Sequence, residues 1–186
     1  LRAQRGDLHA FNELVLEYEG LVYNVCYRIL GQRQAAEDAA QDAFVSAWRN
    51  IGSFRGEAFR PWLLRIASNL CRDELRRRGR RPSSSLDSAL EAGGPEPPDR
   101  DPPPEDVSLN KELRSQLQAA LAQLPEDQRT AVVLCDIEGF DYTEIAVVMN
   151  TSLGTVKSRI ARGRLKLREL LKREPELLSG KFRQEL

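Results

Sequence analysis

The chain has 186 residues, 41% of them apolar, and its 28 basic and 28 acidic residues cancel. That length suits one medium domain or two small ones with an ordinary soluble core. No apolar run approaches the ~18 residues of a membrane helix and no signal-peptide pattern opens the chain, so a cytoplasmic protein is expected.

The chain opens on Leu1, not on Met, so residues are expected to precede it. Residues 8–30 carry a helical stripe at Phe11, Leu14, Val15, Tyr18, Val22, Val25 and Ile29, ended by Gly31. Residues 34–50 read as a second helix, with Ala40, Phe44, Val45 and Trp48 inward. Its Glu37, Asp38, Gln41 and Asp42 lie together near the N-terminus. The helix dipole alone accounts for acids there. An acidic face beside basic ones also suits a second, basic protein partner.

IGSFRGEAFR, residues 51–60, reads as a loop, and Pro61 suits the first turn of a third helix over 61–78. Trp62, Leu63, Ile66, Ala67 and Leu70 form its apolar side. Arg65, Asn69, Arg72 and Arg76 follow at spacings of 4, 3 and 4 on another face, and RRRGRR closes the segment. A basic helix end is often merely solvated. Here Phe54, Arg55, Phe59 and Arg60 precede it, and aromatics interleaved with Arg can hold unstacked bases at roughly 1–3 kcal/mol each. Trp62 reads as core; Phe59, flanked by a glycine-bearing loop, reads as a base contact.

PSSSLDSALEAGGPEPPDRDPPPEDVS then breaks the pattern. Residues 82–110 hold one basic and seven acidic residues, whereas 1–81 carry a net +4 and 111–186 a net +2. Its prolines block helix and sheet, and it has little to bury. As an extended polyproline-like connector it spans roughly 90 Å. The expected organisation is a domain over 1–81, a flexible acidic linker over 82–110, a domain over 111–175 and a tail over 176–186, too short for a further domain.

Beyond the connector, helices are expected at 108–123, 126–137, 141–149 and 153–172. Strand signals are weak throughout, so the fold class is all-α. Asp141 and Glu144 fit a capping box. Asn150, Thr151 and Ser152 form a short turn, and Ser152 can cap the last helix. That helix places Val156, Ile160, Gly163, Leu167 and Leu170 on one face and Thr155, Arg159, Arg162 and Lys166 on another. Gly163 allows another helix to approach closely. A helix, a three-residue turn and a basic helix make a helix-turn-helix, whose second helix enters the major groove by its N-terminal end. Thr155, Lys157, Ser158 and Arg159 then face base edges, and Arg162, Arg164 and Lys166 hold phosphates.

Chemistry at a catalytic site is disfavoured. One histidine, His9, supports no Ser/His/Asp set. Cys26, Cys71 and Cys135 are far apart without a CxxC and read as buried free thiols. No P-loop and no metal-ligand spacing occurs, so no metal or cofactor is expected. Two non-enzymatic alternatives remain: a free-standing helix-turn-helix regulator, which leaves the aromatic loop, acidic helix and connector idle, and an interaction protein with incidental basic helices.

Taken together, these segments resemble a bacterial sigma factor of the extracytoplasmic function (ECF) type. AEDAAQDAFVSAWRNI resembles the family's polymerase-binding helix, FRGEAFRPWLLRIASNLCRDELRRRGRR its segment that melts and reads the −10 element, and LPEDQRTAVVLCDIEGFDYTEIAVVMNTSLGTVKSRIARGRLKLREL its −35-reading domain. The turn MNTSLGTV departs from the glycine or proline common there. The resemblance implies that Glu37, Asp38, Gln41 and Asp42 meet the β′ clamp helices of core RNA polymerase. It implies that Arg55, Phe59 and Asn69 capture a −10 base, while Arg65, Arg72 and Arg76 follow the backbone. Thr155, Lys157, Ser158, Arg159, Arg162 and Lys166 would read and grip the −35 duplex. A contact to the β flap and control by an anti-sigma factor are also implied. Six phosphate contacts would give a log–log salt slope of about −5.

Overall fold

A computed structural model describes residues 2–55, 58–80 and 107–172. Among them every regular element is helical: α1 Leu8–Leu30, α2 Arg33–Asn50, α3 Phe59–Arg80, α4 Val107–Ala122, α5 Glu126–Val132, α6 Tyr142–Met149 and α7 Leu153–Lys172. Short 3₁₀ turns stand at Arg2–Arg5 and Ile51–Ser53, and α5 runs on into a π turn over Val133–Ile137. Residues 82–106 of the expected linker lie outside the described residues, whereas 107–110 already belong to α4.

The local signals explain most boundaries. The Asp7 side chain accepts from the Ala10 N–H and caps α1. Gly31 ends α1 in the left-handed region at φ 74°, its N–H bonded to Tyr27 O at 2.8 Å, a geometry that costs glycine little. The third helix starts at Phe59, two residues before the position expected from Pro61. Pro61 still falls in the first turn, where an absent N–H breaks no intrahelical bond.

α1, α2 and α3 pack together. Phe11, Val22, Val25 and Ile29 of α1 are buried with Leu63, Leu64 and Ala67 of α3. The buried face of α2 is made of alanines: Ala36, Ala39, Ala40, Ala43 and Ala47. Phe44 and Trp48 flank that face half-buried, but Val45, expected inward, is 42% exposed. Small alanines let α2 lie close to its neighbours, and this rotates Val45 outward. The three cysteines are free thiols, Cys26 and Cys71 buried and Cys135 half-buried. Contact with Cys71, and then burial, push the Cys26 thiol well above its usual range.

In the second half, α7 lies across α5. A Cβ on Gly163 would come within 2.6 Å of Val132 Cγ2 and 3.2 Å of Gln128 O, so α7 meets α5 nearly backbone to side chain. Leu121, Leu124, Val132 and Val133 form a small core, with Leu117, Leu167 and Leu170 packed against it.

The two halves do not stand apart. Buried residues of α1–α3 and of α5–α7, including Ala131, Leu134, Phe140, Ile145 and Ile160, form one continuous core. Polar contacts reinforce the junction. The last turn of α1 presents carbonyls with acceptor capacity to spare, Tyr27 O among them although it already takes the Gly31 N–H. Gln118 Nε2 of α4 donates to Tyr27 O and Arg28 O, at 3.3 Å each, and Arg129 Nη1 of α5 donates to Ile29 O at 2.5 Å. Arg129 also donates to Ala122 O at 2.6 Å and Leu124 O at 3.1 Å. Burial lowers the Arg129 pKa from its usual value, with Glu126 opposing. From α3, the Arg60 guanidinium sits 3.7 Å from the centre of the Phe140 ring and donates to Glu138 O at 3.0 Å.

Candidate nucleic-acid interface

α6, its turn and α7 have the geometry of a helix-turn-helix. Asp141 Oδ1 accepts from the N–H groups of Thr143 and Glu144 at 2.7 and 2.8 Å, and Glu144 Oε2 accepts from the Asp141 N–H at 3.0 Å. The capping box fixes the start of α6. Asn150 closes it in the left-handed region at φ 49°. Asn tolerates that region better than most side chains, and here it serves where a glycine is common. The Thr155 N–H donates to Ser152 Oγ at 3.2 Å, so Ser152 caps α7 as expected.

This geometry orients the residues expected to meet duplex DNA. Val156, Ile160 and Gly163 are buried, which turns the basic face outward. Lys157, Arg162 and Lys166 are exposed; Thr155, Ser158 and Arg159 are half-buried. Thr155 Oγ1 lies 2.9 Å from Ser152 Oγ, and the Ser158 hydroxyl donates to Thr155 O at 2.9 Å. Two of the arginines carry acidic partners. Arg159 Nη2 is 2.5 Å from Asp127 Oδ2, and Arg164 donates through Nε and Nη2 to Asp136 at 3.0 and 2.5 Å. The Asp136 carboxylate holds the Arg164 pKa above its ordinary value, against desolvation.

Along α3, Arg65, Asn69 and Arg76 are exposed, as is Arg55 ahead of the helix. Arg72 is drawn away toward α5: its Nε donates to Glu126 Oε1 at 2.9 Å, and its Nη2 lies 3.8 Å from Asp127 Oδ1. The basic end of α3 is partly neutralised by Glu74, bonded to Arg77 and Arg78 at 2.8 and 2.7 Å.

Phe59 departs from expectation. It is helical and 8% exposed, packed 5.5 Å from the Tyr18 ring, 5.9 Å from Phe54 and 5.5 Å from Trp62. The aromatic spacing that suggested a stacking platform also suits a core, and here the rings pack on each other tilted or edge to face. Trp62, read as core, joins the same cluster half-buried.

The acidic set of α2 lies in the N-terminal half of the helix but beyond its first turn, which holds no acid. Asp38, Gln41 and Asp42 are exposed, and Glu37 accepts from Arg33 Nε at 2.8 Å. Asp38 Oδ1 accepts from Gln34 at 3.1 Å. Exposed Val45 follows Gln41 and Asp42 by four and three residues, so it borders the same face. No group of three or more His, Cys, Asp or Glu is placed to hold a metal among the described residues.

Sequence reasoning missed the residues that join the halves: Gln118, Glu126, Asp127, Arg129 and Glu138. Arg129 left one signal, a lone cation in the apolar run after Gln128. Glu126 and Asp127 open the helix expected over 126–137, and nothing in their spacing names a partner.

With this geometry in view, the chain can be set beside known proteins. Residues 14–81 match the family "Sigma-70 region 2" and residues 114–167 match "Sigma-70, region 4". The "RNA polymerase sigma-H factor" of Pseudomonas aeruginosa is 42% identical over 167 residues, 88% of this chain and 86% of that protein. The "ECF RNA polymerase sigma-E factor" of Escherichia coli is 41% identical over 169 residues, 88% of this chain and 87% of that protein. The "ECF RNA polymerase sigma factor SigE" of Mycolicibacterium smegmatis is 41% identical over 87% of this chain, which spans only 62% of that relative's length. Among solved structures, the Bartonella quintana sigma factor RpoE in complex with the anti-sigma factor NepR aligns with TM-score 0.70 and 28% identity, covering 89% of this chain and 98% of that one. CnrH in complex with the cytosolic domain of CnrY aligns with TM-score 0.66 and 28% identity, covering 92% and 93%. The chain therefore belongs to the ECF RNA polymerase sigma factors of the sigma-70 family, alternative sigma factors that direct transcription initiation.

Proposed function

We propose that α2 docks this chain on core RNA polymerase, and that α3 and α7 then recognise the −10 and −35 promoter elements. The observation that carries the reading is the capped helix-turn-helix, whose buried Val156, Ile160 and Gly163 turn Lys157, Arg162 and Lys166 outward. In a major groove, Thr155, Lys157, Ser158 and Arg159 at the start of α7 approach base edges, while Arg162 and Lys166 grip phosphates. On the other half, exposed Arg65 and Arg76, with Arg72, follow the −10 strand. Arg55 and Asn69 hold an unstacked base, joined by Phe59 once its aromatic packing opens. Glu37, Asp38, Gln41 and Asp42 present acid to the β′ clamp helices, and the second half meets the β flap.

The domain limits proposed are 1–81 for polymerase and −10 binding and 111–175 for −35 binding, joined by the acidic linker 82–110. A chain that acts with the polymerase works in the cytoplasm, and no described helix is long and apolar enough to cross a membrane. A sigma factor of similar fold was solved with an anti-sigma factor, which supports an anti-sigma factor as a further partner.

Size-exclusion co-elution with bacterial core polymerase tests the docking. Asp38→Ala with Asp42→Ala should weaken it, and co-elution unchanged by that pair removes α2 as the docking face. Arg159→Ala should lower transcription from promoters with a good −35 element, with a recognition loss of about 1–3 kcal/mol. Equal activity across a promoter set removes that contact.

A further inference from the structure

We propose that Glu126 and Asp127, at the start of α5, form an intramolecular latch that takes the place of DNA on arginines of both DNA-binding helices and keeps the free chain closed. The inference rests on reading Arg72 and Arg159 as DNA contacts. Arg72 comes from α3 and Arg159 from α7, yet both reach the same acidic pair. Arg72 Nε lies 2.9 Å from Glu126 Oε1, and Arg72 Nη2 is 3.8 Å from Asp127 Oδ1. Asp127 Oδ2 lies 2.5 Å from Arg159 Nη2. A single carboxylate thus stands between the two faces expected to touch the two promoter elements.

These contacts are not surface decoration. Arg72, Arg159 and Glu126 are 23%, 24% and 28% exposed, although Asp127 is 44% exposed. Partial shielding strengthens an ion pair over its solvated counterpart. The planar guanidinium binds carboxylate and phosphate through the same fork of donors. An arginine held by Glu126 or Asp127 therefore has fewer donors left for a phosphate or a base edge, and DNA must displace the acids.

The remaining junction contacts are of another kind. Gln118 and Arg129 donate to backbone carbonyls of α1, and Arg60 rests on Phe140. They set how the halves fit, and none occupies an arginine of the DNA-binding set. The acidic pair is the part of the junction that a nucleic acid competes for directly. Exposed Arg65, Asn69 and Arg76, on the face that carries Arg72, offer DNA a first foothold before that competition. Separation of the halves on the polymerase would release both arginines together.

The test uses the full chain without polymerase. Glu126→Gln with Asp127→Asn keeps the side-chain shapes and removes the charges. Distance between dyes on α2 and α7 reports closure, and affinity for a −35 duplex oligonucleotide reports DNA binding. If the closed form outweighs the open one about tenfold, the variant should open and bind DNA about tenfold tighter, since affinity scales with the competent fraction. A second variant guards against misfolding: Arg72→Glu should open the chain, and adding Glu126→Arg should close it again. A wild-type chain already open, or a charge-free variant with unchanged distance and affinity, overturns the latch. Opening without tighter binding also overturns it as a competitor of DNA. Arg159→Ala in the holoenzyme separates the two failures. Lost −35-dependent transcription there leaves the DNA reading standing while the latch falls; no loss means the DNA reading itself has failed.

Discussion

Gly163→Ala sets two physical effects against each other, and the structure decides the sign. In a solvated helix the change is stabilising by about 1 kcal/mol, because alanine loses less backbone entropy than glycine. Here the new methyl would sit 2.6 Å from Val132 Cγ2 and 3.2 Å from the backbone oxygen of Gln128. The first contact is about 1 Å inside the ~3.5–4.0 Å optimum for carbon pairs. Neither neighbour yields easily. Val132 is 1% exposed and β-branched, so its χ1 is nearly fixed in a helix; Gln128 O belongs to the backbone of α5. The helices must part, at an overpacking cost of about 2–3 kcal/mol, the upper part of the usual range. The balance is a net loss of about 1–2 kcal/mol, or a fall in Tm of about 2–8 °C for a chain of this size. Thermal unfolding followed by circular dichroism measures it. Val132→Ala in the same chain should restore part of the loss, giving a coupling between the two sites. A Tm equal to or above wild type would refute the close approach of α7 to α5.

Arg129→Met should destabilise the fold by about 2–3 kcal/mol, because it strips donors from the carbonyls of Ile29, Ala122 and Leu124; a urea midpoint within about 0.5 kcal/mol of wild type would refute the clasp. Asp141→Ala should cost about 1 kcal/mol by removing the capping box of α6, read as faster amide exchange at Thr143 and Glu144. Glu138 faces Arg60 and Arg28, but burial outweighs them and raises its carboxyl above the ordinary 4.5. The folded state therefore binds its proton more tightly, and that stability is full below 4.5 and lost as pH rises through the folded value. Glu138→Gln should remove this pH dependence and leave the variant the more stable chain at neutral pH, as urea titrations across pH would show.

Much of the fold was legible because helical periodicity and caps act over a few residues. Gly31, the Asp141–Glu144 box and Ser152 did what their chemistry dictates wherever a helix begins or ends. The basic face of α7 could be placed because Val156, Ile160 and Gly163 demand burial on the other side. Val45 was misread because periodicity weighs large apolar residues above small ones. The face that won is the alanine row of α2, which gains by close approach to its neighbours rather than by bulk. Phe59 was harder to place, because interleaved aromatics and arginines suit both a base platform and a core. Only the tertiary structure shows the ring packed among Tyr18, Phe54 and Trp62 in the free chain.

The sequence by itself determined an all-α chain, a helix-turn-helix and the faces on which basic and acidic groups lie, since each follows from spacing along one helix. Tertiary structure alone decided which of those charges meet. Arg72 is 54 residues from Glu126, and Arg159 is 32 from Asp127. Coulomb attraction selects no partner at such separations until a shared core has brought α3, α5 and α7 together. That core lies across the junction, and it turns three separately readable helices into one coupled surface.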